Sequence, residues 1–179
     1  MLTIDKVKKA ETLLKDVIRK TDLIYAAALS TGAEIYLKSE NLQKTGSFKV
    51  RGAYTKIAQL SDEQKKKGII ACSAGNHAQG VALSAQKSGI KSTIFIPSTA
   101  PISKIEATKS YGAQIRLVDG VYDDAYNEAV KFQKETGAEF IHPFDDIEVI
   151  AGQGTIALEV LEQLPEVEAI IVPIGGGGL

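Results

Sequence analysis

Hydrophobic and polar positions follow two periods along this chain, and the switches between them outline a fold. Val7, Ala10, Leu14, Val17 and Ile18 recur at helical spacing with charges between them, which predicts an amphipathic first helix. Thr3 is placed to cap it and Asp5 falls in its first turn. In AEIYLKSE (33–40), Ile35 and Leu37 alternate with Tyr36 and Lys38, the period of a strand. Short apolar runs then recur: GIIAC (68–72), STIFIP (92–97), AQIRLV (113–118), EFIH (139–142) and AIIVPI (169–174). Helical stretches are expected near 48–60, 76–88, 102–111, 121–136 and 154–164. Such alternation predicts βαβ units, and continuous apolar runs predict strands buried on both faces. The expected class is α/β, with mainly parallel sheets and helices on both faces. Functional groups in such sheets gather where strands end and loops lead into helices.

Composition changes this picture little but narrows the function. The 179 residues suffice for one ordinary domain or two small ones, and 44% hydrophobic with 24% charged residues is usual for a globular protein. A formal net charge of −1 supplies no basic field for nucleic acid and no polybasic patch for a membrane. Tryptophan is absent and aromatics are only 6%, which argues against a base-stacking surface. A single cysteine, Cys72, precludes an internal disulfide and a cysteine zinc site, so no metal centre is expected. No signal-peptide core and no membrane-length apolar stretch is evident, which makes the cytoplasm the default location. KKKG (65–68) reads as a solvated charge run.

Three strand-to-helix loops carry candidate chemistry. In NLQKTGSFKVRGA (41–53), Gly46 frees a turn, Ser47 is a plausible N-cap and Lys49 falls in the first helical turn. The helix dipole disfavours a cation there, which favours the neutral amine that Schiff-base chemistry requires. The bland alternative is a solvated surface lysine. In CSAGNHAQG (72–80), Ser73, Ala74, Gly75 and Asn76 leave a strand and enter a helix, whose first N–H groups suit an anion. A simple capped Gly-Asn turn explains the same residues. His77 has no second histidine or acid at ligand spacing, which favours a structural or surface role. In PIGGGGL (173–179), four glycines after a strand allow backbone N–H groups to surround a phosphate, with a flexible linker as the alternative. Asp145 and Asp146 read as a helix-entry turn or as a paired acid site, the turn being favoured. No G-x-G-x-x-G follows a strand, and Gly75 to Gly80 continues as Val81-Ala82 without the Lys-Ser/Thr of a P-loop. No nucleophile elbow is present.

Taken together, TGSFKVRGA with Lys49, SAGNHAQG (73–80), IHPFDD (141–146), AGQGT (151–155) and PIGGGGL resemble the fold-type II pyridoxal-phosphate enzymes. Within them the sequence is most similar to the threonine dehydratase (threonine ammonia-lyase) group, with serine racemase and serine dehydratase nearby. The resemblance runs from about residue 20 to the end. It implies pyridoxal 5′-phosphate as cofactor and Lys49 as the residue that carries it as an imine and then removes the Cα proton. Phe48 would pack near the cofactor ring, and Asn76 would bind the ring hydroxyl. Ser73, Ala74, Gly75, Asn76 and His77 would clasp the substrate carboxylate. Gly175, Gly176, Gly177, Gly178 and Leu179 would hold the phosphate through backbone N–H groups. The reaction implied is loss of the β-hydroxyl from threonine or serine, ending in a 2-oxo acid and ammonia. Racemising relatives carry serine where this chain has Ala74, and a methyl group donates no proton, which favours elimination.

The resemblance also implies two domains. Residues 1–60 with 148–179 would form part of a large cofactor-binding domain, and 61–147 a small α/β domain. Family members continue past the glycine loop, so the large domain would be incomplete here, with a sheet edge left unpaired. A non-catalytic remnant or interaction module is therefore a second reading. A homo-oligomer, dimer or tetramer, and an AMP effector are further implications. Asp22 and Ile147 stand where the family commonly has proline.

Overall fold

The structure, a computed structural model, describes residues 1–179. Its centre is a four-stranded sheet of β3 (Ile69–Cys72), β4 (Ser92–Pro97), β5 (Gln114–Val118) and β6 (Glu139–Phe140). All its pairings are parallel and the spatial order is β5-β4-β3-β6. Successive side chains of a strand face opposite ways. Ile69, Ala71, Ile94 and Ile96 accordingly join the larger core with Ile57, Val81 and Ile141. Ile70, Cys72 and Phe95 point the other way, into a smaller cluster with Ala125 and Ala129. Helices α2 (Lys49–Ala58) and α4 (Asn76–Ser88) thus cover one face and α6 (Tyr122–Thr136) the other. The α/β class, with helices on both faces of a parallel sheet, is the observed architecture.

Strand order positions the site. The chain builds β3, β4 and β5 outward in turn, through α4 and α5 (Ile102–Lys109), then returns through α6 to lay β6 on the free edge of β3. The order reverses between β3 and β6, and ligands of open parallel sheets bind at the carboxyl ends of strands at such a switch point.

Beside the sheet lie α1 (Ile4–Leu14), α7 (Ile147–Gln163) and a short antiparallel ribbon of β1 (Leu23–Tyr25) and β2 (Tyr36–Lys38). Thr3 caps α1 by accepting the Lys6 N–H at 3.4 Å. Ala53 and Ile57 of α2 share one buried cluster with residues of the sheet.

Several boundaries depart from the sequence expectation. The first helix ends at Leu14, and Val17 is buried in the turn that follows. The charge run contains α3 (Asp62–Lys67), which buries nothing; a Ser61–Gln64 capping box, early acids and late lysines account for it. α7 begins at Ile147, seven residues before the expected start at 154, because Gly152 and Gly154 hide the helical pattern. Ile147 is its first residue, a position at which proline is also accommodated. The expected strand 169–174 does not form. No strand runs beside it, and Ile171 and Ile174 are 96% and 87% exposed. A strand exists only through a neighbour that completes its hydrogen bonds.

Candidate active site

Lys49 opens α2, just after the Gly46 turn (φ +70°). Its Nζ donates to the Pro143 carbonyl at 2.7 Å and stands 5.2 Å from the centroid of the Phe48 ring. Burial pushes the amine below the ordinary lysine range, with no acid opposing the shift. Desolvation is thus the cause the structure supplies, where the sequence suggested the helix dipole. The backbone of Lys49 is closely packed. A Cβ on Gly80 of α4 would lie 3.0 Å from the Lys49 carbonyl carbon and from the Val50 nitrogen.

β3 ends beside this lysine. Ser73 Oγ accepts the Gly75 N–H at 3.1 Å, and α4 starts at Asn76 with no side-chain cap on its first N–H groups. Such uncapped groups are available to an anion. His77 is 4% exposed, and its Nε2 meets the Ile141 carbonyl at 2.8 Å. The carbonyl can only accept, so Nε2 carries the proton and Nδ1 is a buried acceptor without a partner. Burial pushes the His77 pKa down to about 4, the Ile141 bond opposing in part, so the ring is neutral near pH 7.

The glycine turn closes the third side. A Cβ on Gly178 would fall 2.7 Å from Lys49 Nζ and 3.2 Å from the Pro143 carbonyl oxygen. Gly177 has φ +77°, a conformation that glycine adopts freely. Between these parts lies a cavity of about 500 Å³. Small-molecule sites commonly span about 300–1,000 Å³.

The structure brings Phe48, Lys49, Ser73, Asn76 and His77 to this cavity. Gly175, Gly176, Gly178 and Leu179 line it from the other side. Ala74, Gly75 and Gly177 belong to the same turns but do not line it, and Ala74 packs against the main core. Sequence reasoning missed Cys72, Tyr122, Pro143, Phe144 and Pro173 in the wall. Their signal was position: Cys72 ends β3, Tyr122 starts α6 and Pro143-Phe144 follows β6. Burial pushes the Cys72 thiol up to about 11, with Asp123 adding to it, so its thiolate is scarce near neutrality.

The acid pair does not form. Asp146 is the N-cap of α7, accepting the N–H groups of Glu148 at 2.8 Å and Val149 at 3.3 Å. The Asp145 N–H donates to His142 Nδ1 at 2.7 Å. These residues make a helix-entry turn.

Behind Lys49 lies a charged cluster that the sequence reading did not single out. Arg51 is fully buried and forks between two carboxylates. Its Nε and Nη2 donate to Glu40 at 2.9 and 2.8 Å, and Nη1 and Nη2 to Glu159 at 2.7 and 3.0 Å. Lys38 adds a 2.6 Å contact to Glu159. Two cations meet two carboxylates, so the buried charge balances. Burial pushes the Glu40 carboxyl up, but the Arg51 bonds and charge outweigh it and hold the group below the usual range.

Residues 14–179 match the family described as pyridoxal-phosphate dependent enzyme. The sequence is 58% identical over 181 residues to an L-threonine ammonia-lyase of Thermotoga maritima, covering 100% of this chain and 45% of that protein. The structure superposes on maize serine racemase with a TM-score of 0.95 at 41% identity, covering 99% of this chain and 54% of the other. It superposes on threonine deaminase isoform 2 of Solanum lycopersicum with a TM-score of 0.93 at 39% identity, covering 98% and 49%. The chain spans about half the length of the curated relatives it matches. The residues present fit the family's cofactor. A desolvated amine opens onto a cavity of suitable size, and at Gly178 a side chain would intrude on that amine. From its matching residues, its parallel α/β fold and this lysine-centred cavity, the chain belongs to the family of pyridoxal-phosphate-dependent enzymes.

Proposed function

We propose that the protein containing this chain is a dehydratase, an ammonia-lyase that converts L-threonine, and L-serine, to 2-oxobutyrate or pyruvate and ammonia. One observation carries the reading: a desolvated Lys49 amine faces both the uncapped start of α4 and the four-glycine turn. Pyridoxal phosphate, bound covalently at Lys49, supplies an electron sink for the carbanion at the substrate Cα. The chain's residues do the rest. Freed by the incoming substrate amine, the neutral Lys49 amine would take the Cα proton, for which its lowered pKa prepares it. The Ser73–His77 turn and the first N–H groups of α4 bind the substrate carboxylate. Asn76 offers an amide to the cofactor hydroxyl, and the Gly175–Leu179 backbone holds the phosphate. Phe48 shields the amine from water. The β-hydroxyl would leave with the Cα proton as water, and hydrolysis of the resulting enamine would give the 2-oxo acid and ammonia.

Likeness to a serine racemase structure favours a second reading. Ala74 weighs against it, since its methyl packs into the core and supplies no proton to the opposite face of the carbanion. The dehydratase reading divides the chain at about residues 60 and 148 into a large domain and a small one that closes on substrate. It includes a homo-oligomer, dimer or tetramer, and a response to AMP.

The test is borohydride reduction of the intact purified protein, with mass analysis of the Lys49 peptide. Cofactor mass on that peptide and 2-oxobutyrate release from threonine are expected. An unlabelled peptide overturns the cofactor assignment. D-serine formation without 2-oxo acid decides for the racemase. A 2-oxo acid yield that persists in Lys49→Ala removes the lysine from its role.

A further inference from the structure

The AGQGT stretch, Ala151–Thr155, does not line the cavity, yet it lies against the helix that begins with Lys49. Phe48 gives α2 no side-chain cap. An acceptor arrives instead from α7: Gln153 Oε1 takes the Gly52 N–H, in the first turn of α2, at 3.0 Å. Gln153 is 3% exposed, and its Nε2 finds no partner. A buried amide donor left unpaired lowers stability, so for packing alone an apolar side chain of this shape would serve better. The residue makes sense through its acceptor.

Its neighbours grip the same turn. A Cβ on Gly152 would fall 2.6 Å from both the Arg51 carbonyl oxygen and the Gly52 Cα, so the two helices meet backbone to backbone. A Cβ on Gly52 would lie 2.6 Å from Gln153 Nε2, so the amide occupies the space a side chain there would need. Thr155 Oγ1 accepts from Arg51 Nη1 at 3.1 Å. From α4, Gly80 bears on the Lys49 backbone. The first turn of α2 is thereby held between α7 and α4.

We propose that Gln153 is a positioning residue for Lys49: by accepting the Gly52 N–H it fixes the first turn of α2, and with it the direction in which the lysine amine enters the cavity. The proposal rests on the reading of Lys49 as the cofactor's attachment point. Gln153 acts through α2 and touches no reacting group.

The experiment compares wild type with Gln153→Leu, which keeps comparable bulk and deletes the acceptor, and Gln153→Glu, which keeps an acceptor. In the cofactor-free intact protein, competitive acetylation across pH, read by mass spectrometry, gives the titration midpoint of Lys49. The rate at which added pyridoxal phosphate is trapped on Lys49 by borohydride gives its placement. In Gln153→Leu the midpoint should rise toward that of a free lysine. Trapping should slow roughly ten- to hundredfold, the scale of small misplacements. Gln153→Glu should restore both. A lowered melting temperature with wild-type midpoint and trapping rate would make Gln153 a packing residue and overturn the proposal. Where Gln153→Leu does not fold, Gln153→Asn, too short to reach Gly52, must show the same shifts or the proposal fails. Wild-type protein that traps no cofactor at Lys49 sinks the cofactor reading instead, and the acetylation midpoints still decide the positioning.

Discussion

Arg51 shows how much a single side chain can hold. It is fully buried, and its guanidinium ties the helix of Lys49 to Glu40 before it and Glu159 on α7. Removing one partner from a buried ion cluster strands the others, at a cost of about 3–5 kcal/mol. Arg51→Met should therefore lower the unfolding free energy by about that amount in urea titration, with an unchanged m-value. A loss under about 1 kcal/mol would mean that water reaches the cluster. His77 gives a pH signature. Its folded pKa, about 4, lies below the ordinary value of 6.5, so the unfolded chain binds the extra proton first. Its contribution is complete above pH 6.5 and is lost as pH falls from there toward 4, by an amount on the order of 3 kcal/mol. The melting temperature should fall across that window, and His77→Gln should flatten the slope. Cys72 should resist alkylation in the native protein, since its buried thiol sits at about 11, and should react once urea unfolds the chain. At this scale Lys49 was legible, because a lysine at a helix start is chemically odd. Arg51 was not, because an arginine among apolar helix residues looks solvated until its distant partners are known.

Among the elements, the helix that begins at Asp146 joins capping to long-range pairing. Asp146 caps α7 and also contacts Lys56 of α2 at 2.9 Å. Burial pushes its carboxyl up, but the Lys56 bond and charge and the capped N–H groups outweigh this and hold it below its usual range. Its stabilisation is therefore present above the ordinary aspartate pKa and is lost as pH falls through the lowered one. Asp146→Ala should cost about 1–2 kcal/mol at neutral pH, the value of an N-cap with a further contact. Asp146→Asn, which can still cap, should recover most of it. Equal losses in the two variants would assign the effect to the ion pair. The sequence disclosed a helix-entry turn at Asp145 and Asp146 but misplaced the body of α7. Its two glycines lower helix propensity locally, and only contact with α2 and α1 repays the loss. Where a strand or helix owes its form to distant packing, local pattern reads poorly. β1, three residues long, shows no period at all.

For the molecule as a whole, the parallel sheet and its helices were legible because β3 and β4, buried on both faces, leave continuous apolar runs, although β5 at the edge proves largely exposed. The gathering of the three loops was legible only in outline. Parallel βαβ order sends strand ends to one side, but nothing local tells that β6 returns beside β3 rather than beyond β5. That return brings Pro143 and Phe144 to the lysine. The expected strand 169–174 failed for the opposite reason, since apolar sequence cannot supply its own neighbour. Stability should follow this layout. Amides of β3 and β4, fully buried, should exchange with deuterium slowest, and those of the β1–β2 ribbon, with Ile24, Tyr25 and Leu37 exposed, fastest. Equal protection of ribbon and sheet would contradict it.

The backbone contact between α2 and α7 also sets what heredity can vary. At Gly52 and Gly152 a first side-chain carbon would meet main-chain atoms at 2.6 Å, which no rotamer can avoid, whereas at Gly80 the nearest lie at 3.0 Å. If every amino acid were offered at these positions and folded protein selected, 52 and 152 should return glycine alone and 80 should admit alanine. The crossing that carries the lysine would then stay closed to change at these two positions.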